Sequence, residues 1–363
     1  MSDVKFIGLD VHKTSISAAV LNESGKLVMQ AVFMTQAAAV LGFLRGLPGT
    51  LRVTFEEGTH AAWLHTVLKS QVADVVVCNP RKNALLKSGN KSDRIDARKL
   101  ADLLRTNLLS RVYHDDTQTL TLKELGRTYR SVTDDSTRVM RRLKALYRSQ
   151  AIDTGGKKLY TRGRREQWLS QLPQFGQRYR AERMFEQFDQ LQALRRQIRC
   201  DLMQEGRKHA ATAVLSSVPF VGPIRSALLI ARVQTPFRFR SKRQFWAYCG
   251  LALETRSSAD HQMIDGELRR KSKPVFIRGL NLNHNHDLKN IFKSAATTAS
   301  ASPGPFRDFY ENLLGKGMKP EMARLTLARK IAAISLSVWK KGERFDPEPG
   351  PILGMTSTSF RHC

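Results

Sequence analysis

Four acidic residues in the first third of the chain have the types and spacing of a metal-binding site. Asp10 directly follows the apolar run 6–9, and Glu56 ends another apolar run. Asp93 and Asp96 stand three residues apart at the start of a predicted helix, so they share one helix face. Because the carboxyl ends of strands meet at one edge of an open α/β sheet, we expect the four carboxylates to converge. Mg²⁺ suits such oxygen ligands and removes their mutual repulsion.

Taken one at a time, these acids also have ordinary structural explanations. Asp93 and Asp96 could cap a helix or interact with its dipole, and Glu56 or its neighbour Glu57 could be a surface charge. Asp10 is harder to explain in this way, because a half-buried carboxylate is costly without a partner or a metal ion. It is the joint pattern that predicts a metal site.

A second group of candidate residues lies beyond residue 214. The segment 217–223, followed by an apolar helical pattern, looks like a helix-hairpin-helix turn. In such a turn Gly222 permits the bend, and the next helix, which carries Arg225, offers free N–H groups to a phosphate. An ordinary connection between two helices explains these residues equally well.

Downstream of this turn lie a polar loop with Ser258 and a strongly basic stretch. No general base stands at a diagnostic spacing from Ser258, so spacing alone does not mark it as a nucleophile. His284 and His286 could ligate a metal, but they have no third ligand nearby in sequence. The side chains predicted to contact phosphates are Arg269, Arg270, Lys271, Lys273 and Arg278.

The elements that must position the acids follow an α/β order. Short strands are predicted over 5–9, 15–21 and 26–33, and helices alternate with strands from there to residue 105. Three antiparallel strands followed by alternating helices and strands is the order of an RNase H-like sheet, although other mixed α/β folds have the same periodicity. We therefore predict an α/β catalytic domain over 1–117.

The rest of the chain has a helical pattern. Residues 118–208 are predicted to form a basic connector, either an antiparallel helical hairpin or an intersubunit coiled coil. A solvated basic helix pair that packs only on itself is the plainer alternative. Residues 209–345 are predicted to form a mainly helical domain with irregular loops, and 346–363 a disordered tail.

The composition points to nucleic acid as the partner. The 363 residues include 60 Lys and Arg against 32 Asp and Glu, a net charge of +28. Residues 1–117 carry 15 basic and 11 acidic side chains, 118–208 carry 21 and 10, and 209–363 carry 24 and 11. Such a field attracts phosphate backbones. No apolar run is long enough to cross a bilayer, so we expect a cytosolic protein. The four cysteines lack the spacing of a zinc ribbon.

Several strings resemble those of a known family, the DEDD-type insertion-sequence transposases. This IS110 family is also described as bridge-RNA-guided serine recombinases and is related to the Piv DNA invertase. The resemblance covers nearly the whole chain, and the string 91–101 is its most specific part. The matching strings are Gly8 to Lys13, Phe55 to Thr59, Asn79-Pro80, Lys91 to Ala101, Val218 to Gly222 and Phe245 to Leu251.

The resemblance implies a RuvC-like N-terminal domain in which Asp10, Glu56, Asp93 and Asp96 bind metal. It also implies a C-terminal transposase domain whose serine attacks DNA and forms a phosphoserine link. Counted from Gly250, that serine is Ser258. Ser257 stays an alternative, because residues 259–261 replace the glycine that usually follows the family's serine.

Family resemblance further implies a homo-oligomer in which the acidic site of one subunit meets the serine of another. A noncoding guide RNA would pair with both donor and target DNA. We therefore predict a prokaryotic, nucleoid-associated transposase that needs Mg²⁺. Two alternatives remain open at this point, a RuvC-like junction endonuclease that uses water and a non-catalytic nucleic-acid-binding scaffold.

Overall fold

The structure is a computed structural model. It describes residues 3–83, 92–114, 119–256, 261–270 and 276–347. Contacts divide the chain into two compact units, Met1–Asp116 and Thr117–Cys363. The first unit holds the predicted acids, and the second holds the predicted connector, the hairpin turn and the serine stretch.

The first unit is built on a sheet with the strand order β3-β2-β1-β4-β5. Strands β1, β2 and β3 pair antiparallel, while β1, β4 and β5 pair in parallel. This mixed α/β arrangement is consistent with an RNase H-like fold. The strands are β1 (Val4–Val11), β2 (Ser15–Leu21), β3 (Leu27–Met34), β4 (Thr50–Glu56) and β5 (Asp74–Cys78).

Helices cover the two faces of this sheet and give it two apolar layers. The helices are α1 (Ala37–Arg45), α2 (Ala61–Leu68), α3 (Pro80–Asn83) and α4 (Asp93–Arg105). Ile7, Leu9 and Phe55 are buried on the side of α1 and α2. Phe6 is buried on the opposite side with Leu104 of α4. Successive residues of a strand point to opposite faces, so β1, with apolar residues on both faces, lies at the centre of the unit.

The second unit begins with two long helices, α5 (Leu120–Arg148) and α7 (Phe175–Arg207), with the short α6 (Arg165–Leu169) between them. The Gln192 amide donates to Ser136, and Arg195 donates to the Tyr129 hydroxyl, so the start of α5 lies beside the end of α7. The two helices are therefore antiparallel within one chain. Their far ends enclose a separate apolar cluster that includes Leu143, Tyr147 and Phe185.

The near ends of α5 and α7 belong to the main core of the second unit. Leu122 and Leu202 are buried in it together with side chains of the C-terminal helices. Those helices are α8 (Ala210–Ser216), α9 (Gly222–Val233), α10 (Lys242–Tyr248), α11 (His286–Ala299), α12 (Pro305–Gly315) and α13 (Pro320–Lys341). Across the described ranges, none of the helices is both long and apolar enough to cross a membrane. Within the predicted tail, residues 348–363 lie outside the described residues.

The C-terminal region also contains four short strands where we predicted irregular loops. They are β6 (Leu253–Arg256), β7 (His261–Ile264), β8 (Glu267–Arg270) and β9 (Phe276–Leu280). β7 and β8 pair as a hairpin, and β6 pairs antiparallel with β9. At the hairpin turn Asp265 and Gly266 both have positive φ, of 50° and 80°. An Asp-Gly pair is a strong hairpin signal in a sequence, so this element was predictable.

Candidate active site

The end of strand β1 places two functional side chains on one side of the sheet. Leu9 is buried, and Asp10, the next residue, points the other way with a side chain that is 21% exposed. His12 follows two residues later, and alternation along an extended strand keeps i and i+2 on the same side. Its Nε2 atom lies 3.3 Å from Oδ2 of Asp10. The side chains of Asp10 and His12 are therefore neighbours.

Helix α4 reaches this point because it packs directly on the backbone of β1. A Cβ atom at Gly8 would stand 2.1 Å from the carbonyl oxygen of Ala97 and 2.5 Å from the amide nitrogen of Ala101. Only glycine permits this approach, since real Cβ atoms do not come so close to backbone atoms. The first turn of α4, four residues before Ala97, is thereby brought to the end of β1.

Asp93 is the acid that this packing brings to the site. Its Oδ2 atom lies 3.5 Å from His12 Nε2. Asp93 does not cap α4, because the cap is Ser92, whose hydroxyl accepts a hydrogen bond from the amide of Ile95 at 3.3 Å. The Asp93 carboxylate is therefore not needed as the helix cap and points toward the end of β1.

Asp10, His12 and Asp93 form a group whose ligand atoms all lie within 4.8 Å of one another. Two carboxylate oxygens and one imidazole nitrogen at such distances match the donors that proteins offer to divalent cations. Two carboxylates so close together repel each other, and a bound cation would relieve that repulsion. The donor set therefore fits a divalent metal ion.

Glu56 and Asp96 lie at the same end of the unit but outside this group. The last paired residues of β1 and β4 are Leu9 and Phe55. Asp10 and Glu56 come directly after them, so the two acids stand at the ends of neighbouring parallel strands. Glu56 is half-buried, and its Oε1 atom is out of contact with solvent. Asp96 is also half-buried. Thus two of the four predicted acids are brought within 4.8 Å of each other and of His12.

Glu57, the alternative to Glu56, has a different partner. Its Oε2 atom lies 2.6 Å from Nε2 of His114, whose ring is 5.1 Å from that of His65. Glu57 is not a member of the group around Asp10.

His12 is the residue that sequence reasoning missed. It stands in the string Gly8 to Lys13, but neither metal-ligand spacing nor a paired histidine marked it. The available signal was alternation, because a histidine two residues after a strand-end aspartate must share its face. For His284 and His286 the rings lie 4.5 Å apart, yet in the described portion of the chain no third ligand joins them.

The predicted serine stretch lies between β6 and β7. Ser257 and Ser258 are outside the described residues, as are Lys271 and Lys273 between β8 and β9. The paired residues on either side are described: Arg256 pairs with Phe276, and His261 pairs with Arg270. In the chain, the serine stretch leads from β6 to β7, and the basic stretch leads from β8 to β9. Both therefore connect the β6–β9 pair with the β7–β8 pair.

Of the other predicted phosphate contacts, Arg269 forms an exposed ion pair with Glu267 at 3.0 Å. The backbone of Arg270 lies in β8 and that of Arg278 in β9, and both side chains are outside the described residues. Arg269 and Arg270 therefore belong to the β7–β8 sheet, and Arg278 belongs to the β6–β9 sheet.

The predicted hairpin turn joins α8 to α9. Phe220 and Gly222 have φ values of 65° and 58°, a left-handed conformation that glycine adopts without strain. No side chain caps the start of α9. Arg225 in its first turn donates hydrogen bonds to the carbonyl of Phe220 at 2.7 Å and to the hydroxyl of Ser294 at 3.1 Å. Its burial lowers its pKa from the ordinary value.

Comparison with known proteins gives two separate matches along the chain, and the first of them extends into helix α5 of the second unit. A transposase model for the DEDD type of the IS110 elements matches residues 7–149. A model described as transposase of the IS116/IS110/IS902 family matches residues 212–311. The first range contains Asp10, His12 and Asp93, and the second contains the hairpin turn and the serine stretch.

The chain is also similar to a Streptomyces clavuligerus protein described as the insertion element IS116 uncharacterized 44.8 kDa protein. The two are 26% identical over 136 residues, which is 38% of this chain. The match spans 31% of the length of that relative.

Proposed function

Because the chain carries both transposase domains of the IS110/IS116 family, we propose that it moves an insertion sequence by cutting and rejoining DNA through a covalent phosphoserine link. The observation that carries this proposal is the convergence of Asp10, His12 and Asp93 at the end of the central strand. A transposase of this kind needs a place to hold a phosphate while its bonds change, and this group would offer one with a divalent cation bound.

The residues that would hold the metal are Asp10, His12 and Asp93, with Glu56 and Asp96 at the same end of the unit. Bound there, Mg²⁺ would offset the negative charge of the scissile phosphate and of the oxygens that attack and leave. The protein's own part is positional. Gly8 fixes the distance between β1 and α4, and Ser92 fixes the start of α4.

The covalent step is assigned to Ser258, with Ser257 as the alternative. Its Oγ atom forms a bond to phosphorus, the bond from phosphorus to one deoxyribose oxygen breaks, and that oxygen leaves as a hydroxyl after taking up a proton. The serine gives up its own proton in the same exchange. One phosphoester replaces another, so a second strand can reverse the step without an external energy source.

The strand pairing around the serine supports this assignment. The serine stretch and the stretch with Lys271 and Lys273 connect the same paired strands, and Arg269 lies on β8 beside them. Basic side chains close to a nucleophile can hold the phosphate that it attacks. We assign Arg269, Arg270, Lys271, Lys273 and Arg278 to this task.

Recognition of the DNA is proposed to depend on a noncoding guide RNA and on an oligomer. The net charge of +28 suits the binding of two nucleic acids at once. In such an assembly base pairing selects the sequence, while the protein binds backbones and shape. The acidic group of one subunit and the serine of another would complete each site.

An excision assay tests the proposal. A marked element with its flanking DNA is placed on a plasmid, and its loss is measured in cells that express the protein. We expect excision with the wild type and with Asp102→Asn, a control on the exposed side of α4 where Asp102 pairs with Arg105. Asp10→Asn, Asp93→Asn and Ser258→Ala should abolish it. Unchanged excision with Asp10→Asn and Asp93→Asn would contradict the metal site.

The guide RNA is tested in the same cells. Deleting the noncoding flanks of the element should abolish excision, and supplying those flanks from a second plasmid as a transcript should restore it. Excision that continues without any transcript from the flanks would contradict the RNA part of the proposal and leave the chemistry untouched.

A further inference from the structure

A groove of about 660 Å³ lies within the second unit between α5, α7, α9 and α11. Four arginines line it, contributed by three different helices: Arg130, Arg195, Arg199 and Arg225. Two acids line it as well, Asp134 and Asp287. None of these residues except Arg225 belongs to the candidate sites described above.

The two acids of the groove are already paired with arginines. Arg130 donates to Asp134 at 2.7 Å and also binds Asp287. Arg232, from the other side, lies 2.6 Å from Asp287. The negative charge of the groove is therefore balanced by Arg130 and Arg232.

The remaining three arginines have no such balance. Among the residues that the structure describes, no carboxylate forms an ion pair with Arg195, Arg199 or Arg225. Arg195 lies over the ring of Tyr129, 5.8 Å from its centre. Arg225 is held by the Phe220 carbonyl and the Ser294 hydroxyl. Two guanidinium groups are thus fixed in place on neutral partners, and their positive charge faces the groove.

The neutral lining of the groove indicates what kind of anion it takes. Ile224, Leu228 and Ile291 lie beside the arginines. A small, fully hydrated anion gains nothing from aliphatic walls, and a volume of this size exceeds a single phosphate. A phosphodiester strand presents both charged phosphates and apolar sugar faces.

We propose that this groove binds the phosphodiester backbone of duplex DNA, with Arg195, Arg199 and Arg225 as its phosphate contacts. The choice of DNA as the polymer rests on the proposed function. Val221 and Gly222 of the turn also line the groove, so backbone N–H groups in the first turn of α9 can add uncharged donors to the same phosphates. Contacts of this kind bind without reading sequence.

The test is binding of the full-length protein to a fluorescent DNA duplex of mixed sequence, followed by anisotropy over a series of salt concentrations. EDTA is present, so no strand is cut. Arg199→Gln removes an exposed charge that has no carboxylate partner in the described ranges, and it should weaken binding several-fold. It should also reduce the slope of log K against log salt by about 0.9, the value for one lost phosphate contact. Arg307→Gln in α12 is the control with the same loss of charge, because Arg307 does not line the groove and is paired with Glu311 on its own helix.

A second variant changes the charge in the opposite direction. Asp134→Asn removes a negative charge from the groove, while Arg130 keeps its pair with Asp287, so the variant should strengthen DNA binding. The proposal is overturned if Arg199→Gln and Arg307→Gln have equal effects, or if Asp134→Asn weakens binding. It is also overturned if Arg199→Gln affects only an RNA duplex of the same length, which would assign the groove to RNA.

These results are separate from those of the excision assay. Normal Arg199-dependent binding by a protein that fails in excision would leave the groove in place and count against the chemistry. Loss of excision in Asp93→Asn with no effect of Arg199→Gln on binding would support the chemistry and count against the groove.

Discussion

Gly8 of strand β1 lies directly against Ala97 of helix α4, so close that a methyl group at Gly8 would stand 2.1 Å from the Ala97 carbonyl oxygen. This contact sets the distance between the strand that carries Asp10 and the helix that carries Asp93. The geometry of the candidate metal site therefore depends on a residue that bears no functional group.

Gly8→Ala should separate β1 from α4 and disturb the site. Overpacking of a tight contact costs about 1–3 kcal/mol, and the shift of α4 should also weaken divalent-metal binding. The measurements are the urea midpoint and a metal titration of the same variant. Gly42→Ala is the control, since nothing lies within 4 Å of a Cβ at Gly42 in α1. It should leave metal binding unchanged and stabilise the helix by up to about 1 kcal/mol. A Gly8→Ala variant that binds metal normally would show that α4 does not depend on this contact.

His12→Ala should alter which metals the site prefers. Imidazole favours Co²⁺ over Mg²⁺, while carboxylates serve both. We expect Co²⁺ affinity to fall about tenfold and Mg²⁺ affinity to fall less. Isothermal titration with each ion measures this, and Co²⁺ absorption reports the loss of a nitrogen ligand. His60→Ala, which removes a ring that packs on Trp63, should change neither affinity. Unchanged affinity for both ions would mean that His12 does not contact the metal, and equal losses would contradict the predicted preference for Co²⁺.

Asp74 should make the first unit sensitive to acid. Burial raises its pKa, but hydrogen bonds and charges from Arg52 and Arg111 outweigh burial, so the net pKa is below the ordinary 3.8. A depressed folded-state pKa stabilises the fold above pH 3.8, and this contribution is lost as the pH falls through the folded value. The urea midpoints of the wild type and Asp74→Asn should differ at neutral pH. They should converge once the pH falls below the folded-state pKa of Asp74, which lies below 3.8. A difference that persists in acid would contradict this assignment.

The β7–β8 hairpin should matter for strand transfer more than for stability. Gly266 has a φ of 80°, and an alanine there costs about 1 kcal/mol. Because this hairpin borders the serine stretch, Gly266→Ala should reduce excision while the thermal midpoint of the whole chain changes little. Asp265→Asn is the control, since asparagine accepts the left-handed conformation of that position. If Gly266→Ala excises at the wild-type rate, the hairpin does not position the serine.

Much of the first unit was predictable from the sequence. Its strands are short and bounded by clear turns, and the order of helices and strands indicates a mixed α/β sheet. The nearness of Asp10 and Asp93 followed from strand-end and helix-start positions. His12 was missed because the sequence pattern predicts a first strand over 5–9. The side of the sheet on which His12 lies depends on an extended backbone that continues beyond residue 9.

The second unit was harder to predict. Its helices were evident from three- and four-residue spacing, but β6 to β9 have only four or five residues each, and only the Asp265-Gly266 turn signals them. The groove could not be derived at all. Arg130, Arg195 and Arg225 come from different helices, and only the packing of α5, α7 and α9 brings them together.

The most direct test is to identify the bond between protein and DNA. The full-length protein is incubated with Mg²⁺, guide transcript and DNA, the covalent adduct is isolated, and nuclease and trypsin reduce it to peptides for mass spectrometry. We expect the phosphodeoxynucleotide on the peptide 257–269, at Ser258, in the wild type and in Asp102→Asn. It should be absent from Ser258→Ala and Asp93→Asn. DNA that is cut by the wild type with no protein attached, or an adduct that forms undiminished in Asp93→Asn, would contradict the shared role of the serine and the acidic group.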